Sequence, residues 1–127
     1  MISFDHIEIH VKNSRQYVEF LLELFITGRF KKISDNNTYM FLTADNIRFE
    51  IKENQDFKQN FNLINGNGFC LPCLRMKDAL YHLKKLKNIK IVKEINNPDG
   101  ICIFFKDYEG IDWHIKDYEI LDIYTNI

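Results

Sequence analysis

Three cysteines in 127 residues are an odd and sparse set. They exclude a disulfide framework and fit a reducing compartment, so the expected location is cytoplasmic. Charge of one sign is also missing. Net charge is −1, and the 17 Lys and Arg are interspersed with 18 Asp and Glu. No basic patch suits nucleic acid, and no acidic tail appears. No apolar run approaches the ~20 residues that a membrane span needs. Met1-Ile-Ser-Phe-Asp-His6 enters an alternating pattern with neither a basic nor an apolar leader region, so no secretion signal is expected. Phosphate loop, nucleophile elbow and paired-acid motif are all lacking.

What is present is a foldable chain. Hydrophobic residues make up 46% and aromatic residues 14%, which rules out disorder and predicts one compact unit. An internal repeat organises it. Phe41–Lys52 lies over Phe105–Lys116 without a gap, at an offset of 64 (Phe49 to Trp113). Under that shift Asn46 meets Gly110 and Glu50 meets His114.

The chain in order gives the same pattern twice. Phe4–Val11 alternates as a strand, with Ile7, Ile9 and Val11 on one face and His6, Glu8 and His10 on the other. Asn13 or Ser14 can cap a helix bearing Tyr17, Val18, Leu21, Leu22 and Phe25, which Gly28 is placed to stop. Strands are predicted over Phe30–Ser34, Thr38–Thr43 and Ile47–Glu53. A linker rich in Asn and Gln covers 54–68. Then come a strand over Phe69–Met76, a helix capped by Asp78, and strands over Ile89–Ile95, Ile101–Lys106 and the stretch after Gly110. The result is two βαβββ modules, about 1–53 and 69–118, with a tail at 119–127 apolar enough to pack against a second subunit. Matching strand-to-helix junctions sets Met76 on Val11, an offset of 65 (Val11 to Met76).

These modules, the opening Asp5-His-Ile-Glu-Ile-His-Val11, and Phe104-Phe-Lys-Asp-Tyr-Glu-Gly-Ile-Asp-Trp-His-Ile115 resemble the vicinal oxygen chelate superfamily of glyoxalases, bleomycin-resistance proteins and extradiol dioxygenases. The last segment is similar to that family's F-x-D-P-D-G-N-x-x-E-L ending, with Tyr108 in place of proline and His114 in place of glutamate. The resemblance covers nearly the whole chain. It implies one α+β glyoxalase-like domain over 1–127, its two modules forming a curved mixed sheet around a cleft with the helices on the outer face. It also implies a homodimer. Metal-dependent members place one ligand on the first and one on the last strand of each module. Carried over, these places are His6, Glu50, Leu71 and His114, and leucine cannot ligate.

Read from the residues, His6, Glu50 and His114 stand opposite the apolar Ile7, Phe49 and Trp113 on their strands. Two imidazoles and a carboxylate suit Zn²⁺, Ni²⁺, Mn²⁺ or Fe²⁺ and leave positions for a bidentate oxygen ligand. Equally, these groups could bond each other in a metal-free pocket. Glu50 or Glu8 would serve as general base. His10, Arg48, Leu71, Cys73 and Arg75 are the expected substrate-binding positions, the arginines suiting an anionic or carbonyl-bearing ligand. Ordinary cross-strand pairing of Arg48 and Arg75 with acids is the competing role. Cys70-Leu-Pro-Cys73 spells CxxC, but a strand sends its two cysteines to opposite faces, which argues against redox or zinc chemistry. Two functions follow. One is a metal-dependent lyase, isomerase or dioxygenase of the glyoxalase type acting on a small oxygen-rich substrate. The alternative is a metal-free drug- or metabolite-binding protein of the bleomycin-resistance kind, with no turnover.

Overall fold

The structure, a computed structural model, describes residues 1–56, 69–73, 76–97 and 100–117. The chain divides into two compact units, Met1–Lys58 and Gln59–Ile127. Most of the expected linker, the tail and Arg75 lie outside the described residues.

The first unit runs β1 (Ile7–Val11), α1 (Ser14–Phe25), β2 (Arg29–Ser34), β3 (Thr38–Leu42) and β4 (Arg48–Glu53). Its sheet has the order β1-β4-β3-β2, with β1 parallel to β4 and the other pairs antiparallel. Asn13 is the N-cap of α1, its Oδ1 accepting from the Gln16 amide at 2.9 Å. The apolar stripe Tyr17, Val18, Leu21 and Leu24 is buried and packs on β1, β3 and β4 over Ile9, Val11, Phe41, Phe49 and Ile51. One face of the sheet is thereby committed to the core. The helix ends at Phe25 with Ile26 at φ 66, ahead of the expected Gly28 stop. Gly28 instead leaves room for an aromatic ring. Its φ is 134, and a Cβ there would stand 2.6 Å from Phe41 Cζ.

The second unit repeats the plan with β5 (Phe69–Cys73), α2 (Met76–Lys85), β6 (Ile89–Asn97), β7 (Gly100–Asp107) and β8 (Asp112–Asp117). The sheet order is β5-β8-β7-β6, again with the opening strand parallel to the last. Leu83, Ile103, Phe105 and Trp113 are almost fully buried, and the Phe69 and Trp113 rings lie 4.8 Å apart. Pro72 falls on β5, the terminal strand of this sheet, where a missing amide is tolerated. Asp78 lies inside the first turn of α2, so it serves the helix dipole and is not the cap. Each unit thus has the α+β βαβββ order, and no helix among the described residues is long and apolar enough to cross a membrane.

Pairing fixes the register of the repeat and corrects one alignment. Ile9 pairs with Ile51, and Leu71 pairs with Ile115. The opening strands and helices are therefore related by 62 (Ser14 to Met76, the first residues of α1 and α2), not 65. Leu71 is the counterpart of Ile9, and the counterpart of His6 is Gly68, outside the described residues. Leu71 pairs with Ile115 and Cys73 with Asp117, in rows that alternate with that of His114.

Candidate metal centre

Strand alternation leaves one face of β1 and β4 free of the helix. On it stand Glu8 and His10 from β1, and Arg48, Glu50 and Lys52 from β4. The parallel register sets Glu8 beside Glu50 and His10 beside Lys52. Two carboxylates side by side repel unless a cation is shared. Here Lys52 Nζ lies 3.0 Å from Glu8 Oε1 and 3.4 Å from Glu50 Oε1. His10 Nε2 is 2.7 Å from Glu8 Oε2.

His6 completes the group from just before β1. Its Nε2 faces Glu50 Oε2 at 3.2 Å, and its Nδ1 lies 2.7 Å from Asp5 Oδ2. Arg48 donates to the other Asp5 oxygen at 3.3 Å. One ligating atom each from His6, Glu8 and Glu50 falls within 4.8 Å of the others. One imidazole and two carboxylates form a borderline-hard donor set that fits Mn²⁺, Fe²⁺, Ni²⁺ or Zn²⁺.

The charges are tuned together. The hydrogen bond from His10, then that from Lys52, holds the Glu8 carboxyl below the usual carboxylate range. The hydrogen bond with Asp5 raises the His6 imidazole above its ordinary value, with the Glu50, Asp5 and Glu8 charges adding to it. The same bond lowers the Asp5 carboxyl, and bonds to Glu8 and Glu50 raise Lys52. This is a site that draws positive charge. If the Nδ1 proton of His6 is committed to Asp5, the Nε2 lone pair looks at a carboxylate, a contact that is favourable only with a proton or a cation between them.

His6 and Glu50 thus meet as the sequence suggests, and Glu8 joins them. His10 contacts Glu8, and Arg48 spends its charge on Asp5. His114 belongs to the second unit, in the row Cys70–His114–Phe104, its ring stacked on Phe104 at 5.1 Å. Burial, then Lys116, pushes its imidazole below the ordinary value, leaving it neutral near pH 7. Sequence reasoning missed Asp5 and Lys52. Lys52 had a signal, two residues beyond Glu50 on the same face.

No family model matches the sequence, and no curated protein matches it. Solved structures do. A mutant of the fosfomycin resistance protein FosX from Listeria monocytogenes, complexed with Mn(II) and 1S,2S-dihydroxypropylphosphonic acid, superposes with a TM-score of 0.75 at 20% identity, over 96% of this chain and 99% of that one. A glyoxylase/bleomycin resistance protein/dioxygenase domain from Frankia sp. EAN1pec gives 0.70 at 11% identity, over 92% of each chain. A hypothetical protein from S. aureus gives 0.71 at 14%, over 92% of this chain and 95% of that one. The chain has the vicinal oxygen chelate fold. At these identities the glyoxalase-like likeness concerns architecture, and activity has to be argued from the site.

Proposed function

We propose that the protein is a divalent-metal-dependent enzyme of the glyoxalase type, acting on a small, oxygen-rich, anionic or carbonyl-bearing substrate. The observation that carries this reading is the convergence of His6, Glu8 and Glu50 on one open sheet face. His6 and Glu50 are the ligands, with Glu8 beside them. The FosX structure, which holds Mn(II) and a phosphonate diol on the same fold, supports the choice of ligand class. A bound ion would supply Lewis acidity to vicinal oxygens of the substrate. The chain's own groups do the rest. Glu8, held ionised by its hydrogen bonds to His10 and Lys52, takes a proton from the substrate. The working state proposed is a cytoplasmic homodimer, to be checked by light scattering on the eluting peak of a sizing column.

Lys52 favours a second reading. Its ammonium already bridges the two carboxylates, so a metal-free face that captures a drug or metabolite without turnover is self-consistent. Metal analysis of protein purified without chelator or affinity tag separates the two. Near one Mn, Fe, Ni or Zn per chain, with a higher melting temperature on adding that metal, is expected for the enzyme. Under the same reading Lys52→Met removes a competing cation and tightens Mn(II) binding. A trace of metal, with no thermal gain from any of the four ions, leaves the binder.

A further inference from the structure

The bond between His6 and Asp5 lies outside the ligand set proposed above. We propose that Asp5, clamped by Arg48, is a positioning residue that fixes the neutral His6 ring as its Nδ1–H tautomer and turns the Nε2 lone pair toward Glu50. Two carboxylates compete for the single proton of a neutral imidazole. Asp5 Oδ2 stands at 2.7 Å from Nδ1, near the short end for a charge-assisted bond, whereas Glu50 Oε2 stands at 3.2 Å from Nε2, at the long end. The other Glu50 oxygen is engaged by Lys52, which weakens Glu50 further as a rival acceptor.

Local backbone makes the bond possible. Neighbouring residues of a regular strand point to opposite faces, but β1 begins only at Ile7, so residues 5 and 6 escape that rule. Arg48, two positions before Glu50 on β4, then ties the Asp5 carboxylate to the strand that carries Glu50. The free ring prefers the opposite tautomer, with the proton on Nε2 and therefore no lone pair for a ligand there. A carboxylate on the far nitrogen is the usual device that orients a metal-bound imidazole. The purpose of this arrangement rests on the metal reading; the tautomer itself does not.

The experiment uses metal-free protein labelled with ¹⁵N-histidine at alkaline pH, where the rings are neutral, with His6 assigned by its loss in His6→Gln. Long-range ¹H–¹⁵N spectra report which nitrogen carries the proton. The wild type should show Nδ1–H at His6. Asp5→Ala should revert to Nε2–H, and Asp5→Asn, whose amide oxygen still accepts, should keep Nδ1–H. In parallel, calorimetry with Mn(II) should find Asp5→Ala about 10–100-fold weaker than wild type. Asp5 is 71% exposed, so these variants should fold. An Nε2–H ring in the wild type, or an unchanged tautomer in Asp5→Ala, overturns the proposal. A wild type that binds no Mn(II), yet loses its Nδ1–H tautomer in Asp5→Ala, sinks the metal centre and leaves the positioning role standing.

Discussion

The turns feeding β4 and β8 share a backbone and differ in chemistry. In the first unit the Thr43 amide donates to the Ile47 carbonyl at 3.0 Å, and the Asn46 amide to the Thr43 carbonyl at 3.0 Å. The Ile47 amide returns to Thr43 Oγ1 at 2.9 Å. In the second unit Asp107 takes Thr43's place. Its amide donates to the Ile111 carbonyl at 3.1 Å, and its carbonyl accepts from the Gly110 amide at 2.9 Å. Its Oδ1 accepts from the Ile111 amide at 3.1 Å, as the Thr43 hydroxyl does from Ile47. The second copy adds a bond from the Glu109 amide to Asp107 Oδ1 at 2.9 Å and, from the core, an extra bond from Trp113 Nε1 to the buried Asp107 Oδ2 at 3.0 Å. Phe49, the counterpart of Trp113, has no N–H to give.

The two sheet faces diverge unequally. On the core face, Phe41 and Phe49 answer to Phe105 and Trp113, all buried aromatics. On the open face, Glu50 and Lys52 answer to His114 and Lys116. Packing against a helix restricts change to residues of similar bulk, while the other face is free to take up chemistry. The first copy gathers carboxylates around a histidine; the second presents a neutral imidazole stacked on Phe104.

Substitutions in the second turn test what its added bonds contribute. Trp113→Ala should have the largest effect, about 3–5 kcal/mol in urea unfolding, through lost volume and a stranded Asp107. Asp107→Thr makes the second turn like the first and strands the indole N–H, which should cost about 1–3 kcal/mol. If Asp107→Thr proves neutral, the extra bond contributes nothing to stability. Gly110 at φ 83 stands where the first unit has Asn46 at φ 67, so Gly110→Asn should cost less than about 1 kcal/mol by the same measure.

The smallest effect is a contrast of sign between the two histidines. His6 is raised, so its stabilising contribution is complete below the unfolded value and is lost as pH rises through the folded one. His114 is lowered, so the fold gains stability as pH climbs from its folded value to the unfolded one. Melting temperatures followed over about pH 5 to 9 should show the gap between wild type and His6→Gln narrowing with pH. The gap between wild type and His114→Gln should widen. Parallel curves for the pair would show that neither shift affects stability.

The sequence carried the strand faces well, because apolar and polar residues alternate without a break in Ile7–Val11 and Arg48–Glu53. His6 and Glu50 could be placed on one face for that reason. The junction after β5 was opaque. Cys73 ends the strand and Met76 opens the helix with no capping residue in Leu74-Arg75 to mark the change, so the register slipped by three and Leu71 was set in a ligand place. Asp5 was invisible for the opposite reason. Alternation extended β1 back to Phe4, which would put Asp5 behind the sheet, whereas the chain is irregular there and Phe4 is exposed.

Parallel pairing of β1 with β4 has a consequence for the order of assembly. Ile7 meets Phe49 only by closing the whole length of the first unit, across a helix and a hairpin that can form from nearby contacts. Long closures come late, because their entropy must be met before any contact rewards it. His6 and Glu50 therefore come together last and part first. A ligand that grips both should act as a latch, slowing the release of β1 far more than it hastens folding.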